Sequence, residues 1–168
     1  MPQYGHSPGS NHPDSTEGES VPDLKSFADL VPLDYGLSVA VTLRAEGTPH
    51  ATVVNAAVLP HPITGTDVVA FVSPSATVKL ANLRANPAIA LAIRSGWQWV
   101  TVEGTTQLVG ADDPHPGIDA ERQRLLIREI FGNAGVTQDW DTYDQIMRDK
   151  HGTLVFVTPT RIYSNAAM

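Results

Sequence analysis

What most limits the folds open to this chain is a succession of short apolar runs joined mainly by turns. Leu37 to Leu43 alternates in strand fashion, Glu46-Gly47 marks a turn, and His50 to Leu59 supplies a second strand. Pro60 to Gly65 reads as a loop and Asp67 to Val72 as a third strand, rich in β-branched and aromatic residues. Ala88 to Ile93 is a fourth; after the turn Ser95-Gly96, Trp97 to Val109 is a fifth, too long to lie flat, with Gly104 as a bulge or bend. Parallel neighbours need a crossover of roughly a dozen residues or more, and such connections do not recur regularly here. Consecutive hairpins therefore speak against a doubly wound parallel sheet. They favour a small antiparallel barrel with helices attached, a mainly β, α+β chain, since a bend such as Gly104 lets a sheet close on itself.

Helices are expected at four places. Asp23 can cap a short amphipathic helix through Leu24, Phe27, Ala28, Leu30 and Val31, which ends before Pro32. Ser75 to Pro87 connects the third and fourth strands; Ser73 or Ser75 can cap it, Leu80 and Leu83 can turn inward, and about three turns are expected. Glu121 to Phe131 carries Leu125, Leu126, Ile127 and Ile130 and can stop at Gly132. Asp139 to Lys150 places Asp139, Asp141 and Asp144 early and Arg148 and Lys150 late, matching the helix dipole at both ends. Thr153 to Thr158 and Arg161 to Tyr163 then read as one strand interrupted at Pro159, which suits a sheet edge.

The 168 residues suit one domain and one core, with ordinary mean hydropathy of −0.11. Residues 1 to about 22, rich in Gly, Pro, Ser, His and acidic side chains, are expected to form a disordered tail in which His6 and His12 are incidental; residues 23–168 form the domain. A net charge of −7 argues against nucleic-acid or anionic-membrane binding, so an anionic ligand must be met locally. Zero cysteines exclude disulfides, thiolate metal sites and a cysteine nucleophile, and fit a cytoplasmic location. No apolar run nears the roughly 20 residues of a membrane helix, and the N-terminus has no export signal pattern.

The familiar catalytic motifs (GxSxG, HExxH, Walker loop, GxGxxG) are absent. His50, His61, His115 and His151 are scattered through turns and strand starts without ligand spacing, so they read as loop or surface histidines and no metal site is expected. The pairs Asp112-Asp113 and Asp139/Asp141 are explained by solvation and helix dipoles. Trp97 and Trp99, two apart on one strand, share a face and either fill a core or wall a cofactor pocket. The first turn of the 75–87 helix, with Lys79 beside it, suits a phosphate, but spacing alone favours reading Lys79 and Arg84 as charges that solvate an exposed face.

Three blocks add a resemblance: LSVAVTLRAEGTPHATVVNAAV (37–58), VAFVSPSATVKLANLRANPAIALAI (69–93) and GWQWVTVEGTTQLV (96–109). In this order, and over roughly Asp23 to Tyr163, the chain resembles the split β-barrel flavin and deazaflavin proteins related to pyridoxamine 5′-phosphate oxidase. DWDTYDQIMRDK (139–150) further resembles a helix of the actinobacterial branch that uses coenzyme F420. The resemblance implies a split antiparallel barrel of the FMN/F420-binding type, with Thr52, Val53, Val54 and Asn55 on the strand facing the deazaflavin ring. It implies that Ser73, Thr77, Lys79 and Asn82 meet the phosphate and acidic tail of the cofactor, and that Trp97 and Trp99 come from the second subunit of a homodimer. Relatives often carry a basic residue where this chain has Thr77, so the charge available to a polyanionic tail is thinner.

The implied activity is an F420H2-dependent reduction of a small conjugated substrate such as an enone, quinone or tetrapyrrole. An FMN-binding oxidase or reductase, or a cofactor- or tetrapyrrole-binding protein without turnover, are the alternatives. No catalytic side chain is nominated, because a reduced deazaflavin carries its own reactive hydride and the protein mainly orients it.

Overall fold

A computed structural model describes residues 23–165; the expected tail, with His6 and His12, lies outside them. The elements are α1 (Leu24–Leu30), β1 (Leu37–Leu43), β2 (Pro49–Pro60), β3 (Asp67–Pro74), α2 (Val78–Ala85), β4 (Ala88–Ser95), β5 (Gln98–Val109), α3 (Ala120–Asn133), α4 (Trp140–Asp149) and β6 (Gly152–Ser164), with a 3-10 turn at Val31–Leu33. All strand pairs are antiparallel, in the ring β1-β2-β3-β6-β5-β4, which closes through β1 and β4. The mainly β, α+β barrel expected from the hairpin pattern is the fold observed.

Two cores follow from the period-2 alternation of the strands. One fills the barrel: Phe71 and Val69 of β3, Leu91 and Ile93 of β4 and Val155 and Val157 of β6 point inward, joined by Phe27 of α1 and by Leu80 and Leu83 of α2. The other lies outside it, where Val68 and Ala70 of β3 and Leu154 and Phe156 of β6 meet Leu126, Ile130 and Phe131 of α3. Residues 68–71 are thus buried on both faces, which is why that run is continuously apolar. Phe27 is fully buried, and truncating it to Ala costs about 3–5 kcal/mol. Its helix starts where the sequence indicates, with the Asp23 carboxylate accepting from Ser26 N–H.

Two glycines are placed by sterics. Gly36 has φ +63°, and a Cβ there would stand 2.0 Å from the Ala56 carbonyl oxygen. At Gly104 a Cβ would stand 2.3 Å from the Thr158 carbonyl oxygen, at the register shift between Glu103 and Gly104. That shift is the expected bulge, and it admits Pro159 opposite Gly104. Strand β6 is therefore continuous through Pro159 rather than interrupted. Its pairing with β3 ends at Val157, however, so the proline lies where β6 has only β5 as a neighbour.

Other boundaries differ for local reasons. Helix α2 has eight residues, about two turns, and neither Ser73 nor Ser75 caps it: Thr77 occupies the N-cap position and makes no capping bond. Helix α3 runs through Gly132 to Asn133, and the left-handed residue that follows is Gly135, φ +79°. Strand β5 begins at Gln98, so Trp97 sits with Gly96 in the β4–β5 turn rather than sharing a strand face with Trp99. His61, expected at the surface, is buried: Nδ1 accepts from Ile63 and Thr64 N–H, the ring meets Phe156 edge-on, and Nε2 bonds Gln107 Oε1 at 2.7 Å.

Candidate functional site

Strand β2 holds the clue to where a ligand fits. Among the described residues, 49–55 pair only with β1, and pairing with β3 begins at Ala56. The first half of β2 therefore has an unpaired backbone edge, and here the barrel wall splits. Along this half, side chains alternate between two surroundings. Val54 joins the barrel core, while Val53 is 63% exposed on the opposite face. Asn55 donates through Nδ2 to the Tyr35 carbonyl at 2.8 Å, which ties down a residue in left-handed conformation, φ 52°. His50 Nδ1 and Thr52 Oγ1 are closed off from solvent and have no hydrogen-bond partner among the described residues.

The end of β3 and the start of α2 form the polar part of the site. Ser73 is buried, and its Oγ lies 3.1 Å from Thr77 Oγ1. Lys79 Nζ donates to the same oxygen at 3.2 Å. Among the described residues no carboxylate pairs with Lys79, and burial pushes its ammonium below the usual lysine range. Asn82, one turn further along α2, donates through Nδ2 to the buried Thr42 Oγ1 at 3.0 Å, tying the helix to β1. Because the Thr77 hydroxyl turns to Ser73 instead of capping, the first backbone N–H groups of α2 keep their partial positive charge beside Lys79. A half-buried cation with only hydroxyl company, at a helix start, is chemically a seat for an anion.

Of the residues singled out in the sequence, Ser73, Thr77 and Lys79 are in direct contact, and Asn82 extends them along the same helix. Thr52 turns to the same side of the β1–β2 hairpin as Thr42, since it lies opposite Ala40 in the register and Thr42 opposite His50. Val53 and Trp99 come together elsewhere, lining with Leu37, Val39 and Thr101 a groove of about 540 Å³ on the outside of the barrel. Trp99 meets Tyr163 edge-on, and Trp97 is 93% exposed at its turn, so neither tryptophan belongs to a core of this chain. Val54 and Asn55 are occupied with packing and with Tyr35, leaving their backbone to the open edge.

Arg84 has a different task. It chelates Asp113 through Nε at 3.0 Å and Nη2 at 2.7 Å and donates to the Ser75 carbonyl and hydroxyl, which fastens the 110–117 loop to α2. Asp112 bonds His151 Nδ1 at 3.1 Å, and hydrogen bonds from Ser75 and His151 hold its carboxyl below the ordinary range. Motif reading passed over Thr42, which holds Asn82, and the unpartnered state of His50. The signal that could have found His50 is its place two residues before Thr52 on an alternating strand.

A closed antiparallel ring with a split at β2 and a cation-bearing seat at the β3–α2 connection defines the class as an α+β split barrel. The sequence model of the pyridoxamine 5′-phosphate oxidase family matches residues 34–165, and the chain belongs to that family. No curated protein sequence matches it. Among solved structures it is similar to an F420 reductase (TM-score 0.59, 18% identity, covering 85% of this chain and 98% of that one). It is also similar to a pyridoxamine 5′-phosphate oxidase-related, FMN-binding protein from Nostoc punctiforme (0.58, 13%, 84% and 81%) and to a conserved hypothetical protein from Mycobacterium tuberculosis (0.61, 16%, 86% and 84%). These identities carry the fold.

The residues present fit a phosphate-bearing flavin or deazaflavin. Lys79, Ser73, Thr77 and the start of α2 match the phosphate, the open edge of β2 matches a planar ring that hydrogen-bonds to backbone, and two polar atoms on β2 still lack partners. Among the described residues no helix is long and apolar enough to cross a membrane.

Proposed function

We propose that the protein is an F420H2-dependent oxidoreductase acting on a small conjugated acceptor of the enone, quinone or tetrapyrrole type. The observation that carries this reading is Lys79, a half-buried ammonium with a hydroxyl for its hydrogen-bond partner, at a helix start beside an unpaired strand edge. When bound, the reduced deazaflavin supplies a hydride. The work left to the chain is binding and orientation: Lys79, Ser73 and Thr77 hold the phosphate, Asn82 keeps α2 against β1, and the backbone of 52–55 faces the ring. Val54 and the barrel core behind it keep water from that face.

The apolar groove around Leu37, Val39, Val53 and Trp99, with Trp97 projecting beside it, supports a homodimer in which the partner covers this face and the tryptophans border the site. A homodimeric enzyme of the cytoplasm, taking a small-molecule substrate, is the whole reading. A second cofactor is favoured by one observation: a single lysine suits one phosphate better than a polyanionic tail, so FMN is the alternative.

Titration separates them. F420 binding at micromolar concentration, read by fluorescence quenching or polarisation, and its marked loss in Lys79→Ala, are the expected results; equal binding by the variant would sink the phosphate assignment. A yellow preparation with an FMN spectrum would transfer the reading to FMN. Tight binding with no hydride transfer to a panel of enones and quinones would leave a carrier in place of an enzyme.

A further inference from the structure

His50 has no role in the reading above. Its Nδ1 and the Thr52 Oγ1 are the buried side-chain polar atoms that stand without partners among the described residues, a state native proteins largely avoid. They are neighbours: two apart on β2, they share one face. On that face His50 lies opposite Thr42, whose hydroxyl takes the hydrogen bond from Asn82 of α2. Asn82 in turn stands one helical turn after Lys79, so the two unpaired groups and a cation without a carboxylate partner among the described residues line one polar tract between the β1–β2 hairpin and α2.

Resting on the proposed cofactor site, we infer that His50 and Thr52 complete the phosphate seat begun by Lys79, His50 as a ring N–H donor and Thr52 as a hydroxyl donor. Both atoms are closed off from solvent, but neither is held. Flipping the His50 ring or rotating Thr52 about χ1 breaks no hydrogen bond, so a phosphate oxygen entering beside Lys79 can draw both toward it. Neutral donors thereby do part of the work of the second cation that Thr77 does not supply. The class of ligand selected is a flavin or deazaflavin carrying a phosphate ester, in preference to the same ring system without it.

The test compares paired probes on the full chain: FMN against riboflavin, and F420 against its phosphate-free deazariboflavin core, each titrated by fluorescence. The wild type is expected to prefer the phosphorylated member of a pair. His50→Phe should cut that preference at least fivefold and Thr52→Val about threefold, each losing more affinity for the phosphorylated probe than for its phosphate-free partner, while His50→Gln, which keeps a donor, retains most of it. Thr52→Val, nearly isosteric, should also raise the melting temperature of the ligand-free protein by about 2 °C, because it removes an unpaired buried hydroxyl. A purely structural role would lower it. Retention of the preference in both variants, or equal loss for both members of a pair, overturns the inference while the cofactor site stands. A wild type that binds neither pair overturns the site reading and this inference together.

Discussion

Two polar regions of this molecule use the same kinds of residue to opposite ends. Between α3 and α4, Asp144 is buried and fully partnered: it takes Arg128 Nη2 at 2.6 Å and Nε at 3.1 Å, and Arg124 Nη1 at 3.0 Å. At the β3–α2 junction, Lys79 is half buried with a hydroxyl in place of a carboxylate, and two polar atoms nearby on β2 have no partner. Satisfied charges fasten two elements together and have nothing left to offer a ligand. Unsatisfied ones weaken the free protein and repay that cost only when something binds. The contrast separates scaffold from site without reference to any relative.

Breaking the satisfied side should give the largest effect. Asp144→Ala leaves two guanidinium groups of α3 without the buried carboxylate that holds them from α4 and is expected to lower stability by about 2–3 kcal/mol in urea unfolding, without changing cofactor affinity in the folded protein. If affinity falls in step with stability, the two regions are not separable.

Acid should act at the same place. The arginine hydrogen bonds, Arg128 first, hold the Asp144 carboxyl below its ordinary 3.8. Its stabilising contribution is therefore present above that value and is lost as pH falls from 3.8 through the lower folded value. Asp144→Asn should show a flatter stability profile below pH 4 than the wild type, in thermal melts across a pH series.

Lys79→Met attacks the unsatisfied side. At least tenfold loss of affinity for a phosphorylated cofactor is expected, the scale of one charge-assisted hydrogen bond, with the melting point unchanged or slightly raised. A clear drop in melting point would mean that Lys79 belongs to the scaffold.

Arg84→Ala is the smallest test and the sharpest for assignment. It should release the 110–117 loop from α2, seen as faster proteolytic cutting there, while cofactor affinity stays within about twofold. A loss of affinity like that of Lys79→Met would return Arg84 to the phosphate site.

Much of this was legible in the chain because strands and hairpins are local. The five runs from Leu37 to Val109 fall within a few residues of β1 to β5, and Gly104 marks the bulge. What stayed hidden depends on partners far along the sequence. Asp144 looked like a dipole complement because its arginines are 16 and 20 residues away; His61 looked exposed because Gln107 is 46 residues on. Ser75 looked like a cap, but Arg84 claims its hydroxyl, and Ser73 goes to Thr77 and Lys79. The contacts among Ser73, Thr77 and Lys79 fall within one short segment, where the family resemblance implies a cluster that also includes Asn82. The unpaired state of His50 was not legible, since a missing partner shows only once the surrounding chain is in place.

The order of strands also sets a schedule for the molecule's birth. Strand β6 fills the gap between β3 and β5, with Val69 opposite Val157 and Val109 opposite Leu154. A ribosome delivers β6 after both of its neighbours, so a nascent chain that has reached α4 still carries two naked strand edges. The final pairing joins segments far apart in sequence, from Pro74 with Gly152 to Val69 with Val157, which makes ring closure a late and slow event in folding. During that interval the growing polypeptide is at its most sticky, and a stop between β5 and Gly152 is expected to leave a product with two open strand edges that aggregates instead of folding.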